Sequence, residues 1–183
     1  MNKDTITLGS GQLYVTEFSG EIPEDTVLET DDNRLGYIKG GATIAYTPTE
    51  YEAKDDFGVV SKVIITEEEA ILSTGLITWC GNTLNKLCST ARTTEDSSEK
   101  VRTVKIGGTK NDNGKKYIIH FVHQDPVDGD VRVTIVGRNR SGFSLAFVKD
   151  QETTLNAEFK AAPCDEDGTL IIYKEKDDTI VQA

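Results

Sequence analysis

Short segments in which apolar and polar side chains alternate recur along most of this chain of 183 residues. Neighbouring side chains of a β-strand point to opposite faces of a sheet, so a period of two predicts strands that bury one face. Strands are predicted over residues 12–18, 37–46, 62–72 (extended by 76–79 after a break at Gly75), 101–106, 116–124, 130–136, 142–148, 153–161 and 169–174. We expect a mainly β protein in which 142–148 pairs with 131–136 through the polar turn 137–141.

One segment follows the period of a helix instead. Residues 82–92 place an apolar stripe on one face at positions i, i+3, i+4 and i+7, and Asn82 is a suitable N-cap. The stripe consists of Leu84, Leu87, Cys88 and Ala91. Such a short helix is unstable alone in water, so we expect it to lie on a sheet face with Trp79 as an anchor. The acidic run 93–100 that follows is predicted to be a loop.

The connection over residues 46–61 is the least compact part of the sequence. The predicted strand ends at Tyr46, and a charged run that contains Pro48, Tyr51 and Phe57 follows before a β-branched strand begins. A connection of roughly 15 residues is longer than compact domains need, and such connections are usually functional or disordered. Its aromatic residues indicate an exposed arm that docks on another surface; the alternative is a mobile surface excursion.

The charge of the chain is unevenly distributed. The formal net charge is −11, yet residues 101–148 carry eight basic and four acidic side chains, while residues 1–60 carry four basic and twelve acidic ones. An acidic chain gains no affinity for nucleic acid by releasing phosphate counterions. Two interpretations stay open: the charge serves solubility, or the basic middle of one copy faces an acidic segment of another.

The chain is predicted to be one domain over residues 1–183, with its cysteines reduced. The three cysteines form no CxxC pair, so neither a disulfide framework nor a zinc site is predicted, and reduced intracellular folding is the simpler expectation. The N-terminus lacks the apolar region of a signal peptide. The apolar runs are only a few residues long, so we expect no membrane segment.

The residues carry no recognisable catalytic or cofactor chemistry. His120 and His123 lie three apart on a predicted strand, where they point to opposite faces and cannot share a metal, so we interpret them as structural or surface histidines. No nucleophile motif, phosphate-binding loop or calcium loop is present. Glu67 and Glu69 share a strand face, which we interpret as a solvated face rather than a glycosidase pair. We therefore predict no enzyme activity, cofactor or metal.

The order of several sequence blocks resembles that of tail tube (major tail) proteins of long-tailed bacteriophages that infect Gram-positive hosts, or of related phage-tail-like particles. No single block is diagnostic, and the resemblance lies in their succession along most of the chain. The blocks are LGSGQLYVTEF (8–18), LGYIKGGATIAYTPTEYEAKDDFG (35–58), VSKVIITEEEAILSTGLITWCGNTLNKLCST (60–90), KKYIIHFVHQD (115–125), DVRVTIVGRNRSGFSLAF (130–147), LNAEFKAAP (155–163) and GTLIIY (168–173).

The resemblance implies an antiparallel β-sandwich or half-barrel with one short flanking helix and a long extended loop. It implies that six copies form a ring and that rings stack into the hollow tail tube of a virion, assembled in the cytoplasm of the bacterial host. The expected partners are identical copies, the tape-measure protein, and the tail-tip and tail-terminator proteins. Double-stranded DNA is expected only as non-specific cargo passing through the bore.

The same resemblance gives the arm and the bore candidate residues. Tyr51 and Phe57 are expected to be the apolar anchors of an arm that reaches the next ring or neighbour. The charged rim of that arm is expected to be Glu50, Glu52, Lys54, Asp55 and Asp56. Glu67 and Glu69 are candidates for the lining of the bore, where carboxylates repel phosphates so that DNA slides without sticking. Two alternatives stay open: strand parity places Glu68 inward instead, or the whole group lies outside the bore.

Two other functions fit the sequence less well. An all-β pattern with exposed aromatics is compatible with a carbohydrate-binding or adhesion module of the β-sandwich type, with Trp79, Tyr51 and Tyr173 as a stacking platform for sugars. An enzyme would require an unrecognised site built from His120 or His123 with Glu or Ser partners.

Overall fold

The computed structural model describes residues 9–59, 61–150, 152–176 and 180. Residues 1–8 and most of 177–183 of the predicted domain lie outside this range, as does Val60 of the predicted arm. The elements are β1 Gln12–Glu17, α1 Asp25–Leu28, β2 Arg34–Gly36, β3 Ile38–Lys54, β4 Ser61–Leu76, α2 Gly81–Leu87, β5 Arg92–Asp96, β6 Val101–Lys105, a 3₁₀ turn Thr109–Asn111, β7 Tyr117–His123, β8 Val131–Asn139, β9 Leu155–Ala162 and β10 Ile172–Glu175.

The protein is mainly β, and all of its strand pairs in the described residues are antiparallel. The main sheet has the strand order β2-β1-β7-β8-β9-β4-β3. Strand β8 pairs with β10 along its first half and with β9 along its second half. The predicted fold class, antiparallel β with one short flanking helix, is confirmed.

The main sheet curls until its first and last strands meet. Strands β2 and β3 stand at opposite ends of the strand order, yet only Tyr37 separates them in the chain. The Tyr37 carbonyl accepts a hydrogen bond from the Ile77 N–H (2.8 Å), and the Tyr37 N–H donates to Thr78 Oγ1 (2.7 Å). Gly36 permits this approach, because a Cβ there would lie 2.2 Å from the Thr78 carbonyl oxygen. The sheet is therefore a half-barrel whose seam is held by this segment.

One apolar cluster, built from β1, β2, β4, β7, β8, β9 and α2, forms the core of the half-barrel. Strand β9 shows how the predicted alternation works, because Leu155, Ala157, Phe159 and Ala161 are buried while the residues between them are exposed. Short α1 covers a smaller cluster formed by Leu28 with residues of β7 and β8. Most of the buried core residues of the half-barrel therefore lie in strands that the period of two in the sequence predicted.

Helix α2 has the predicted apolar stripe but is shorter than predicted. Leu87 is buried and Leu84 and Cys88 pack against the core, as the spacing indicates. The helix ends at Leu87, because Cys88 is already extended (φ −122°, ψ 112°). The N-cap is Cys80 rather than Asn82: its N–H donates to Thr83 Oγ1 (3.2 Å). The Thr83 hydroxyl in turn donates to the Leu35 carbonyl (3.0 Å), which fixes α2 on β2. The expected anchor Trp79 packs against the same core.

Three predictions of strands and loops outside the arm are wrong. Residues 142–148 form no continuous strand, because β8 runs on to Asn139 and that edge pairs with β9. Residues 93–100 are not a loop but belong to a hairpin, β5–β6, whose threonine-rich sequence alternates. An ion pair between Glu95 and Arg102 (2.7 Å) joins its two strands. Strand β4 does not break at Gly75 but continues to Leu76.

Candidate assembly surface

The arm predicted over 46–61 is exposed but is not a loop. Strand β3 continues beyond Tyr46 to Lys54 and pairs with β4 as far as Ser61, so only residues 55–60 connect the strands. Strand β9 pairs with β4 only from Ile71 onward. Residues 46–59 and 61–69 therefore form a two-stranded projection, called the ribbon below. Pro48 is compatible with it because β3 is an edge strand, where a missing N–H costs no ladder bond.

The register assigns the ribbon side chains to two faces. Tyr46 lies opposite buried Ala70, so its face, the inward face, continues the core side of β4. A bulge at Thr66 shifts the register of β4 against β3. Between Ser61 and Ile65, the odd-numbered residues of β4 therefore lie on the inward face. The inward face carries Tyr46, Glu50, Glu52, Val63 and Ile65. The outward face carries Thr47, Thr49, Tyr51, Ala53, Lys62, Ile64, Glu67 and Glu69.

The ribbon exposes apolar side chains on both faces and at its tip. Tyr51 is 59% exposed, and Ile65 on the opposite face is 56% exposed. At the tip, Phe57 is 89% exposed and Val59 is 82% exposed. An isolated two-stranded hairpin is marginally stable in water. A hairpin with uncovered apolar side chains on both faces is typical of a segment that another surface covers.

The edges of the ribbon are also unpaired. Within the described residues, no strand pairs with the outer edge of β3, and none pairs with the opposite edge of β4 before Ile71. Unpaired N–H and C=O groups in a long edge strand are a template for pairing with another chain. Charged side chains along the ribbon, such as Glu50, Glu52 and Lys54, are the usual protection of such an exposed edge.

The predicted arm residues occupy three positions on the ribbon. Tyr51 faces outward, opposite Ile64. Glu50 and Glu52 face inward, and the Lys54 ammonium at the end of β3 pairs with Glu52 (2.8 Å). The tip holds Asp55, Asp56 and Phe57. Val63, Ile64 and Ile65 are exposed residues that were not among the predicted arm residues. Three consecutive apolar residues in a strand put apolar side chains on both faces, which is the signal that identifies them.

The two candidate bore residues lie together on the outward face at the root of the ribbon, opposite Thr49 and Thr47. Glu67 is exposed, whereas the Glu69 carboxylate is held by Lys160 (2.8 Å) and Arg140 (2.9 Å). The hydrogen bond from Lys160 and both positive charges lower the pKa of Glu69 against the opposing effect of burial. Glu69 is thus a paired carboxylate that ties the ribbon to β9.

Both histidines are buried and lie in separate hydrogen-bond systems. His120 contacts Thr134 Oγ1 through Nδ1 (2.8 Å) and Glu29 Oε1 through Nε2 (3.3 Å). His123 donates from Nδ1 to the Ser10 carbonyl (2.7 Å), and its Nε2 is buried without a partner among the described residues. The described part of the chain contains no group of three His, Cys, Asp or Glu side chains that could hold a metal ion.

Glu29 connects His120 to a basic side chain. The Arg132 Nε–H donates to Glu29 Oε1 over 2.6 Å. Burial alone would raise the pKa of Glu29, but the hydrogen bonds from Arg132 and His120 outweigh it, so that pKa lies below its usual value. Burial lowers the pKa of His120, and the nearby carboxylates only partly oppose this. The arrangement is that of a structural ion pair with a neutral histidine.

The aromatic residues proposed as a sugar platform lie on different elements. Trp79 packs against the core and edge-on to Phe147, with ring centroids 6.2 Å apart. Tyr51 lies on the ribbon, and Tyr173 lies on β10, where its hydroxyl donates to Glu175 (3.0 Å). Trp79 is therefore mainly a packing residue.

No helix in the described ranges has the length and apolar character needed to cross a membrane. No protein-family model matches the chain. No curated protein matches it either.

Proposed function

We propose that this chain is a structural subunit that assembles with identical copies into rings of six, which stack into the hollow tail tube of a bacteriophage or a related particle. The observation that carries the proposal is the ribbon, which projects from a complete core with apolar side chains and strand edges uncovered. The order of the sequence blocks supports the same function. The tail tube form of the half-barrel is part of this proposal.

The physical basis is that the half-barrel does not need the ribbon, whereas the ribbon needs a partner. The core cluster contains no residue between 39 and 69 except partly buried Ala42. Covering the ribbon with another copy buries its apolar side chains and satisfies its edges at once. Contacts between different surfaces of identical subunits close into rings or continue as open stacks, depending on the rotation between copies.

The proposal includes the environment of the tube. Its partners are identical copies, the tape-measure protein, and the tail-tip and tail-terminator proteins, and its place is the virion tail after assembly in the host cytoplasm. Double-stranded DNA passes through the bore without specific contacts. Glu67 and Glu69 remain our candidates for the lining. Because Glu69 is paired with two cations, Glu67 is the stronger source of phosphate repulsion of the two.

Removing the ribbon tests the proposal. Thr47 and Glu69 are cross-strand partners, so a two-residue Asn-Gly turn can replace residues 48–68 and close the hairpin at its root. We expect the shortened chain to keep its far-ultraviolet circular dichroism and cooperative unfolding but to remain monomeric. The full chain, concentrated and imaged by negative-stain electron microscopy, is expected to form rings and tubes.

A matched control shortens a different hairpin. Asp96 and Val101 are partners in β5–β6, so Asn-Gly can replace residues 97–100 in the same way. We expect this variant to assemble like the unmodified chain. Tubes formed by the ribbon-free variant would contradict the proposal. Persistent monomers of the full chain, even with tail-tip proteins supplied as a nucleus, would also contradict it.

A further inference from the structure

A groove rimmed by four basic side chains lies on β8 and β9. It has a volume of about 340 Å³, at the lower end of the size of ligand pockets, and an apolar floor formed by Gly137 and neighbouring alanines of β9. The basic side chains at its rim are Lys116, Arg138, Arg140 and Lys160. An apolar floor within a basic rim suits an aromatic side chain that is accompanied by carboxylates.

The rim keeps an excess of positive charge after its internal ion pairs are counted. Arg140 and Lys160 share the single carboxylate of Glu69. Arg138 approaches Asp112 at 3.4 Å, a long contact between exposed groups. Lys116 forms no ion pair with any residue that the structure describes. Two carboxylates thus face four cations, so the groove attracts further negative charge.

The ribbon tip has the complementary composition. Phe57 projects almost fully into solvent and is preceded by Asp55 and Asp56. From residue 50 to residue 59 the ribbon carries four carboxylates and a single lysine, which pairs with one of them, Glu52. A large exposed aromatic beside acidic side chains matches an apolar floor with a basic rim in both polarity and charge.

The ribbon is too long for its tip to lie in the groove of its own subunit. Its root is fixed beside the groove, because Glu69 contacts two of the rim cations. From Glu69 to Ser61 there are eight strand residues, which at about 3.3 Å each place the tip about 26 Å away. Unless the ribbon folds back on itself, the groove within its reach belongs to another molecule.

We propose that the ribbon tip of one copy docks in the β8–β9 groove of the next, with Phe57 on the groove floor and Asp56 against Lys116 and Arg138. This inference rests on the proposed self-assembly and names the two surfaces that meet. The contact joins different surfaces, so it is directional and each copy offers one tip and one groove. Ionic attraction positions the tip, and burial of Phe57 stabilises it.

Two complementary variants of the full chain test the pairing. The tip variant combines Asp56→Lys with Phe57→Ser, and the groove variant combines Lys116→Glu with Arg138→Glu. These exposed positions leave the anchors of Glu69 unchanged, and circular dichroism checks the fold. By sedimentation velocity we expect each variant alone to need a concentration at least about tenfold higher than the unmodified chain for half-assembly, or ~1.4 kcal/mol.

The mixture of the two variants gives the sharper result. The groove variant keeps an intact tip and the tip variant keeps an intact groove. At concentrations at which neither variant assembles alone, the equimolar mixture is therefore expected to form 1:1 dimers that do not grow further. Charge reversals elsewhere on the surface, Lys110→Glu and Asp167→Lys, serve as controls and are expected to assemble normally. Self-association of the unmodified chain is also expected to weaken between ~0.1 M and ~1 M salt, as the Debye length falls from about 10 Å to about 3 Å.

The outcomes separate this inference from the proposed function. Tubes of the unmodified chain together with normal assembly of the groove variant, or a mixture that forms no dimers, would overturn the inference alone. Dimers in the mixture without tubes from the unmodified chain would support the pairing and contradict the tube. A fluorescent 20-base-pair DNA duplex tests another occupant: binding that the groove variant loses while it still assembles would assign the groove to nucleic acid and overturn the inference.

Discussion

Strand β4 passes through both regions of this molecule, and its two halves behave differently. From Ala70 to Leu76 every second residue is buried, whereas the eight residues from Ser61 to Glu68 are exposed on both faces. The exposed half nevertheless contains apolar residues, namely Val63, Ile64 and Ile65. The difference lies in the neighbours: β9 and the core cover one half, and only β3 accompanies the other.

The covered residues of β4 stabilise the folded chain, whereas its exposed residues are those that the proposed function assigns to contacts with other copies. In the half-barrel, the free energy of folding comes from apolar side chains placed on a covered face. In the ribbon, the same residue types contribute little to folding, because water still reaches them. Substitutions of similar chemistry in the two regions are therefore expected to have opposite effects on stability and on assembly.

The largest effect is expected in the half-barrel core. Phe159 on β9 is 1% exposed, and Phe159→Ala should lower the free energy of unfolding by about 3–5 kcal/mol, because it removes buried area and leaves a cavity. Urea unfolding followed by circular dichroism measures the change. Ile64→Ala in the ribbon is the matched control and should cost far less. Equal losses at both positions would remove the distinction between the two regions.

A smaller loss is expected at the seam of the half-barrel. In Gly36→Ala the new Cβ would meet the Thr78 carbonyl, a backbone group just beyond the end of β4 that moves only with the chain around it. The two ends of the sheet must then separate, which should cost about 1–3 kcal/mol, a typical effect of overpacking. Gly142→Ala is a control with no atom near the new Cβ, although its positive φ of 66° adds some strain of its own. A harmless Gly36→Ala would show that the seam does not contribute to stability.

More of the structure of the half-barrel than of the ribbon could be predicted from the sequence. The stripe Leu84, Leu87 and Cys88 located α2, and the alternation located most strands, because one covered face leaves a period in the sequence. The end of α2 was harder to predict. Ala91 continues the apolar stripe in the sequence and is buried, but it lies beyond Leu87, the last residue of the helix.

The pairings and the ribbon depend on information that no local pattern carries. Residues 142–148 alternate as well as β9 does, and only the fold decides that β9 takes the second half of β8. Pro48 and the acidic residues around it resemble a loop because an exposed edge strand tolerates the residues that loops prefer. The Glu29–His120 contact joins residues 91 positions apart, so no spacing rule predicts it.

The dependence of stability on pH is expected to arise in the half-barrel. The pKa of His120 is lower in the folded than in the unfolded chain, so the unfolded chain binds the proton first. This contribution is complete above the usual pKa of 6.5 and is lost as the pH falls below it. The lowered pKa of Glu29 extends the loss below pH 4.5.

His120→Gln should reduce the slope of stability against pH between pH 6.5 and 5 by up to about 1.4 kcal/mol per pH unit, the effect of one proton. Urea midpoints across this range measure the slope. The groups that face His120 are Glu29, Asp25, Lys174 and Tyr14, and Arg132 pairs with the two carboxylates among them. A slope equal to that of the unmodified chain would mean that His120 does not control this range. Removing the ribbon should leave the slope unchanged, since it contains none of these groups.

The smallest effect on folding is expected on the ribbon itself. Tyr51 is more than half exposed and faces Ile64 across the strand pair, so Tyr51→Ser should change the free energy of unfolding by no more than about 1 kcal/mol, the scale of one cross-strand pair. Under the proposed function the same substitution removes an aromatic contact between copies and raises the concentration needed for assembly. Tyr173→Ser, also exposed but on β10, is the control that should leave assembly unchanged. If Tyr51→Ser destabilised the subunit as strongly as Phe159→Ala, Tyr51 would belong to its own subunit's core, and the ribbon would not be a surface held for another copy.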